Sequence, residues 1–530
     1  MQNNNAMTRR TFVGTAAALS SLAVLPAANA ATTASTAQNS VPQTIPALRE
    51  WTPAAGSFNL GPVSQIVVRC SQAATLAGIA RTFAADLTAM GQRNHVEISD
   101  RPARAGDIIL EVGASDPAIG TEGYLLAVGD FVAITARTAA GAFYGTRTIL
   151  QLLNQSPSIS AGTARDWPRY AERGLMVDIA RMNFTYDWLA TRIRDMAYLK
   201  LNLLHLHFTD NEGWRIESRL GVQSSPCLTR QQVCDLVALA AKYQVTVVPE
   251  IDMPSHMAAL LKLYPQFQLV DSNGTAAPDK LDYSIPAARD LLREVIAEYI
   301  PLFPGPYWHM GTDEFLAASE YANYPQLITY AQQTQGPSAT GKDGLIGLVN
   351  EMNTFVRRQG KTLRIWNDLL SPDDTVSIDK DVVLEWWTDL YTPYPQPINP
   401  DQPQALLTQG YSLLNSSFFP TYDYPAGPPV LPSVQWMYEK WTVATFHGFA
   451  YTDDQGDGFP FYTVNDSAPG NRGSVINLWN SGGTWTEAQA ADSIFPRLRV
   501  LAQKTWDSAL SVPTYAEFST IVNAVGSAPA

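Results

Sequence analysis

Tyr307-Trp308-His309-Met310-Gly311-Thr312-Asp313-Glu314 reads as a short apolar strand that ends in two adjacent carboxylates. Side chains alternate along an extended strand, so Asp313 and Glu314 start out diverging unless the chain turns there and brings both into one pocket. Taken alone, the pair reads as a solvated strand-to-loop junction, because most exposed acidic pairs do no chemistry. The residues on either side decide between the two.

Outward in both directions the chain alternates strand and helix. Upstream, 174–180 reads as an apolar strand, 187–200 as a helix with apolar residues at helical spacing, and 201–210 as a second strand. A helix over 229–243 with Thr229 as its N-cap leads into a third strand at 245–252, and a helix over 291–300 leads into the quoted strand. Downstream come a helix over 345–359, strands at 362–368, 382–387, 412–417 and 474–479, and a last helix over about 487–504. Nearly all-apolar strands alternating with helices imply a parallel sheet buried on both faces. Eight such strands make the expected fold α/β, a (β/α)8 TIM barrel over 166–511.

Active sites of such barrels lie where the strands end. Arg181 follows strand one, Asp210 strand two, Glu250 and Asp252 strand three, and Asp313 and Glu314 strand four. Trp366 with Asp368, Trp387, Tyr422 and Trp479 fall at or near strands five to eight. A rim of carboxylates and indoles suits sugar cleavage: sugar rings offer apolar faces to indoles, and an oxocarbenium-like transition state needs a general acid and a negative stabiliser. Plain barrel packing is the alternative for Trp366 and Trp387, and a one-residue register error would exchange Trp387 for Trp386. His205 and His207 alternate on a strand without a third ligand at matching spacing, so no metal is assigned, and no other cofactor is expected.

Ahead of the barrel, 51–165 reads as a small α+β domain: a strand at 65–69, a helix over 74–90, strand and hairpin patterns at 107–112 and 122–136, and a closing helix over 138–153. Residues 31–50, rich in Ala, Thr, Ser and Pro, read as a flexible leader, and 512–530 as a C-terminal tail. Residues 1–30 combine Thr8-Arg9-Arg10-Thr11-Phe12-Val13, an apolar run over 13–25 and the triplet Ala28-Asn29-Ala30. That order is a twin-arginine export signal, which predicts a periplasmic or secreted protein with no membrane span after cleavage. The charged share of 16% and apolar share of 46% fit a globular chain. A net charge of −13 with no offsetting basic patch argues against nucleic acid as a partner. The three cysteines, Cys70, Cys227 and Cys234, cannot form a disulfide framework, and the pairing of Cys227 with Cys234 stays open.

Four segments carry a family resemblance: Arg173-Gly174-Leu175-Met176-Val177-Asp178, His205-Leu206-His207-Phe208-Thr209-Asp210-Asn211-Glu212-Gly213-Trp214-Arg215, Pro249-Glu250-Ile251-Asp252-Met253-Pro254-Ser255-His256, and His309-Met310-Gly311-Thr312-Asp313-Glu314. Together they resemble glycoside hydrolase family 20, which includes β-N-acetylhexosaminidases and lacto-N-biosidases. The resemblance extends over roughly 171–506 and includes the small preceding domain. It implies that the substrate's own 2-acetamido oxygen attacks the anomeric carbon, this family being an exception to the two-carboxylate scheme. By resemblance Glu314 is the acid and then the base, Asp313 orients the acetamido nitrogen, and Tyr422 donates to the acetamido oxygen. Trp366, Trp387 and Trp479 would wall the pocket. Arg173 would hold sugar hydroxyls with Asp210 nearby, and His256 would join the binding residues as a support, as would His309. A Glu acting as acid near neutral pH needs burial and a neighbouring carboxylate to raise its pKa.

Departures bear on the substrate. Many similar hexosaminidases carry Trp-x-Glu at the eighth strand, whereas Trp479 is followed by Asn480 and Ser481, and Trp485-Thr486-Glu487 sits nearer the last helix. The turn Asp210-Asn211-Glu212-Gly213 and the segment Leu414-Asn415-Ser416-Ser417 look more like the lacto-N-biosidase branch. The expected activity is an exported retaining exo-glycosidase acting on glycans with terminal β-linked N-acetylhexosamine. The alternatives are a lacto-N-biosidase releasing an acetamido-containing disaccharide, a transglycosylase, and a carbohydrate-binding protein without catalysis.

Overall fold

The computed structural model describes residues 41–371, 374–388, 403–424, 433–447, 461–480, 485–507 and 510–529. Seven strands form the N-terminal sheet: β1 (Glu50–Asn59), β2 (Gln65–Val68), β3 (His95–Ile98), β4 (Ile108–Val112), β5 (Tyr124–Val128), β6 (Val132–Ala136) and β7 (Ser158–Asp166). Their order is β1-β7-β5-β6-β4-β2-β3, parallel from β6 through β4 and β2 to β3 and antiparallel elsewhere. Helices α1 (Ala73–Ala89) and α2 (Ala139–Gln155) pack on it. Every residue of α2 from Gly141 to Leu152 is buried, because the helix is covered by the sheet on one side and by barrel helices on the other.

The leader expected to be flexible up to residue 50 is instead fixed in its second half. Ile45 is fully buried, its N–H donates to Gln151 Oε1 at 2.8 Å, and its carbonyl accepts from Gln151 Nε2 at 2.6 Å. Two apolar side chains, Ile45 and Leu48, gain more by entering the core than the Ala/Thr/Ser composition around them indicates.

Eight parallel strands then close a barrel: β8 (Glu172–Asp178), β9 (Leu203–His207), β10 (Thr246–Glu250), β11 (Tyr307–His309), β12 (Thr362–Trp366), β13 (Val383–Trp386), β14 (Ser412–Asn415) and β15 (Asn471–Leu478). Each pairs with the next, and β15 pairs with both β14 and β8. Around it lie α3 (Tyr186–Tyr198), α4 (Arg230–Lys242), α5 (Pro286–Tyr299), α6 (Gly341–Arg358), α7 (Glu487–Trp506) and α8 (Tyr515–Val525). Thr229 caps α4 as expected and does so reciprocally: its Oγ1 accepts from Gln232 N–H at 3.1 Å, and Gln232 Oε1 accepts from Thr229 N–H at 2.9 Å. The C-terminal tail carries α8, whose Phe518 and Val525 are fully buried, and the Val525 carbonyl accepts from Tyr198 Oη and Asn154 Nδ2.

The lower barrel interior is filled by charge. Glu172 accepts from Arg472 Nε at 2.7 Å, Tyr307 Oη at 2.8 Å and Arg364 Nη1 at 3.0 Å, and Arg364 Nε donates to Glu385 Oε1 at 2.7 Å. Asp166, at the end of β7, joins the two domains: it accepts from Lys200 Nζ at 2.7 Å and from Trp506 Nε1 at 2.8 Å. The three cysteines are free. Among the described residues no helix is long and apolar enough to cross a membrane.

Candidate active site

β11 ends at His309, earlier than its apolar pattern indicates, because the backbone then turns left-handed: φ is +67° at Gly311, +82° at Thr312 and +53° at Glu314. A β-branched residue such as Thr312 is an outlier there, at a cost of about 1–3 kcal/mol that the surroundings must over-determine. They do so from both sides. A Cβ on Gly311 would lie 2.1 Å from Asp252 Oδ1, so only glycine lets the chain pass. Trp366 N–H donates to the Gly311 carbonyl at 3.0 Å, Ser255 Oγ to the Asp313 carbonyl at 2.5 Å, and Glu314 N–H to Asp368 Oδ2 at 2.9 Å. The turn resolves the divergence of the two carboxylates: His256 Nε2 lies 3.5 Å from Asp313 Oδ2 and 3.6 Å from Glu314 Oε2.

Around this pair a cavity is lined by Arg181, His256, Asp313, Glu314, Trp366, Trp387, Tyr422, Tyr424 and Trp479. Trp387 and Tyr422 stack with centroids 6.3 Å apart and planes at 13°. Trp479 leans on both Tyr422 (5.7 Å) and Trp366 (6.0 Å). The register at β13 is the expected one, with Trp387 turned to the cavity and donating to Asp368 Oδ1 at 3.1 Å. Trp386 faces away and donates to the His447 carbonyl at 3.2 Å.

Arg173 is not in this cavity. It sits at the start of β8, fully buried under the N-terminal domain, with Nη1 on Glu122 Oε2 at 2.9 Å and Nε on the Lys200 carbonyl at 3.1 Å. The arginine in the cavity is Arg181, just past the end of β8, paired with Asp178 at 3.0 Å, Asp210 at 2.7 Å and Glu212 at 3.4 Å. Direction decides between them: Arg173 precedes the strand's apolar run, and the rule that barrel sites lie at strand C-termini already favours Arg181. Asp210 stands behind the wall, where its Oδ1 meets His256 Nδ1 at 3.2 Å and its Oδ2 meets His207 Nε2 at 3.1 Å. Tyr424 completes the lining on the alternation Tyr422 in, Asp423 out, Tyr424 in. Glu487 turns away, accepting from Thr185 N–H at 2.5 Å, and Ser481 lies outside the described residues.

Burial separates the two acids differently from the expectation that Glu314 would be the enclosed one. The Glu314 side chain is 38% exposed and that of Asp313 15%. Burial pushes Asp313 up to about 8 against the pull of His256, with the charges of Asp368 and Glu314 adding to it. Burial works against the His256 imidazolium, but Asp313 and Asp210 together outweigh it and hold it well above the usual histidine range. Burial likewise raises Tyr422 well above the usual phenol range, with Tyr424 and Asp313 contributing, so its hydroxyl stays a donor.

Among the described residues three sets of potential metal ligands exist, His205/Glu250/His309, His207/Asp210/Asp252 and His256/Asp313/Glu314. In each, imidazole nitrogens face carboxylate oxygens at 2.9–3.6 Å, the spacing of shared protons and ion pairs.

Residues 170–509 match the family model "Glycosyl hydrolase family 20, catalytic domain", and residues 41–167 match "Glycosyl hydrolase family 20, domain 2". The chain belongs to glycosyl hydrolase family 20. Within the family it is 30% identical to a lacto-N-biosidase of Bifidobacterium bifidum over 92% of this chain and 42% of that protein. It is also 30% identical to a β-N-acetylhexosaminidase of Cellulomonas fimi over 58% of this chain and 61% of that one. The chain therefore spans less than two thirds of either relative's length. Among solved structures, the family 20 β-N-acetylhexosaminidase of Streptomyces coelicolor A3(2) superposes with a TM-score of 0.70 at 25% identity, covering 92% of this chain and 95% of that one. A Flavobacterium johnsoniae chitobiase shares the fold with a TM-score of 0.72 at 22% identity, covering 91% and 72%.

Proposed function

We propose that this family 20 protein is a retaining exo-glycosidase that releases terminal β-linked N-acetylhexosamine through attack by the substrate's own acetamido oxygen. The observation that supports it most is the unequal pair at the β11 turn, with Asp313 enclosed among indoles and Glu314 more open beside it. In this reading Glu314 protonates the leaving oxygen at the cavity mouth and later takes a proton from the incoming water. Asp313 accepts from the acetamido N–H and faces the positive charge that grows on that group as the oxazolinium ring closes. Tyr422 donates to the acetamido oxygen and so aims it at the anomeric carbon. Trp366, Trp387 and Trp479 cover the apolar faces of the ring, and Arg181 with Asp210 behind it addresses its hydroxyls.

The same site supports a second reading, release of an acetamido-containing disaccharide. It is favoured by the 30% identity to a lacto-N-biosidase over 92% of this chain and by Glu487 facing Thr185 and not the cavity. Aryl β-glycosides of N-acetylglucosamine, N-acetylgalactosamine and lacto-N-biose, assayed beside a plain glucoside, separate the cases. Turnover of none, or equal turnover of the plain glucoside, removes the acetamido-assisted mechanism; binding without turnover favours a lectin-like role, and product chains growing at high acceptor concentration favour a transglycosylase. Export through the twin-arginine segment is part of the proposal, supported by the sequence of residues 8–30. Replacing Arg9 and Arg10 by Lys should keep the protein in the cytoplasm, and unchanged fractionation would reject it.

A further inference from the structure

Beneath the cavity, four ring nitrogens converge on one carboxylate. Glu250, fully buried at the end of β10, has Trp366 Nε1 at 2.7 Å and His309 Nδ1 at 2.9 Å on its Oε1. Its Oε2 has His207 Nδ1 at 2.7 Å and His205 Nε2 at 2.9 Å. An indole N–H only donates, so the plane of Trp366, a cavity wall, is fixed by an acceptor at that point. His207 is constrained at both ends. Its Nδ1 meets Glu250, and its Nε2 meets Asp210 Oδ2 at 3.1 Å with Asp252 Oδ2 at 3.6 Å. Carboxylates on both sides require both nitrogens to carry hydrogen. Asp210 passes the constraint on, to His256 Nδ1 at 3.2 Å and to Arg181 Nη2 at 2.7 Å.

We infer that Glu250 is a positioning residue for the reaction: through one contact it sets the Trp366 wall, and through His207 and Asp210 it sets His256 and Arg181, which line the cavity with Asp313 and Glu314. The inference rests on the glycosidase reading above. Glu250 touches neither substrate nor a reacting atom; its role is to offer two acceptor oxygens to two different sides of the pocket at once. An amide cannot do this. In Glu250→Gln one oxygen becomes NH2 and turns its hydrogens toward either Trp366 Nε1 or His207 Nδ1, so one of the two loses its acceptor whichever way the amide lies.

The test is kinetic, on the full chain. In Glu250→Gln, KM for the aryl N-acetylhexosaminide should rise about tenfold, the scale of one lost hydrogen bond to an ionised group. kcat should change less than KM, because the substitution leaves the proposed acid Glu314 on its own anchor, its N–H donating to Asp368 Oδ2. A role confined to folding lowers the yield or melting point and leaves both unchanged. Folded Glu250→Gln with the wild-type KM overturns the inference. Should that variant fail to fold, His207→Gln decides, since its amide serves Glu250 or Asp210 but not both: KM should rise, and a wild-type KM overturns the inference. If the wild-type protein turns over no acetamido sugar, the glycosidase reading fails, and N-acetylhexosamine affinity in the same variants then decides the positioning role: a tenfold weakening sustains it and equal affinity overturns it.

Discussion

Replacing Asp313 by Asn should make the protein more stable while removing its activity, and the size of the gain can be worked from the site. The carboxyl titrates near 8 in the folded chain against an ordinary 3.8. Below 3.8 both states are protonated and the group is neutral in the balance. Between 3.8 and 7 the unfolded chain gives up this proton and the folded chain keeps it, an interval of roughly 3.2 pH units that costs about 4 kcal/mol at about 1.36 kcal/mol per unit. Stability is therefore lost as the pH rises towards about 8 and levels off above it. Asn carries no such burden. The gain is partly offset because His256, whose Nε2 lies 3.5 Å from Asp313, loses a partner that holds its proton, so the net at pH 7 is on the order of 2–4 kcal/mol. Thermal melts of both proteins at pH 4, 5.5, 7 and 8 measure it. The melting points should coincide near pH 4 and separate in favour of Asn as the pH rises. A gap that is constant with pH, or that favours Asp at pH 8, would refute the assignment of a burdened carboxyl to this position.

Glu314→Gln should lower kcat on substrates with poor leaving groups by about 10²–10⁴-fold while sparing an activated aryl substrate more, and near-normal rates on both would show another group to be the acid. In the proposed site the acetamido N–H donates to Asp313, and an ionised carboxylate is a stronger acceptor than its neutral acid. Affinity for an N-acetylhexosamine-derived inhibitor should therefore rise with pH up to about 8, with proton release visible by calorimetry in buffers of different ionisation enthalpy. Thr229→Ala, which breaks the reciprocal cap of α4, should cost about 1 kcal/mol in denaturant unfolding and leave kcat/KM alone.

The barrel was legible because its strands are nearly continuous apolar runs separated by helical periodicity, a pattern that only a doubly covered parallel sheet produces. The N-terminal sheet was less so. β1 and β3 lie at its edges and alternate only weakly, and β1 carries a register shift between Pro53 and Ser57, so neither shows a clean period of two. The gathering of Asp313, Glu314, Trp366, Trp387, Tyr422 and Trp479 follows from their places at strand ends. Two features escaped. Arg173 and Arg181 flank the same strand, and only its direction tells which one reaches the cavity. Which of two adjacent acids is enclosed depends on left-handed backbone at Gly311, Thr312 and Glu314, and on Asp252 pressing against Gly311, a contact between strands three and four that local sequence does not encode.

The charged filling from Glu172 through Arg364 to Glu385 has a consequence for the medium in which the protein works. Dissolved ions weaken interactions between exposed charges beyond about 8–10 Å at ordinary ionic strength, but they do not reach Arg364 and Glu385, which are fully buried. The field that these groups set beneath the pocket should therefore be the same in brackish and in dilute surroundings. With an uncharged substrate, kcat/KM between 50 mM and 1 M sodium chloride should stay within about twofold, a tolerance that surface charge alone would not provide.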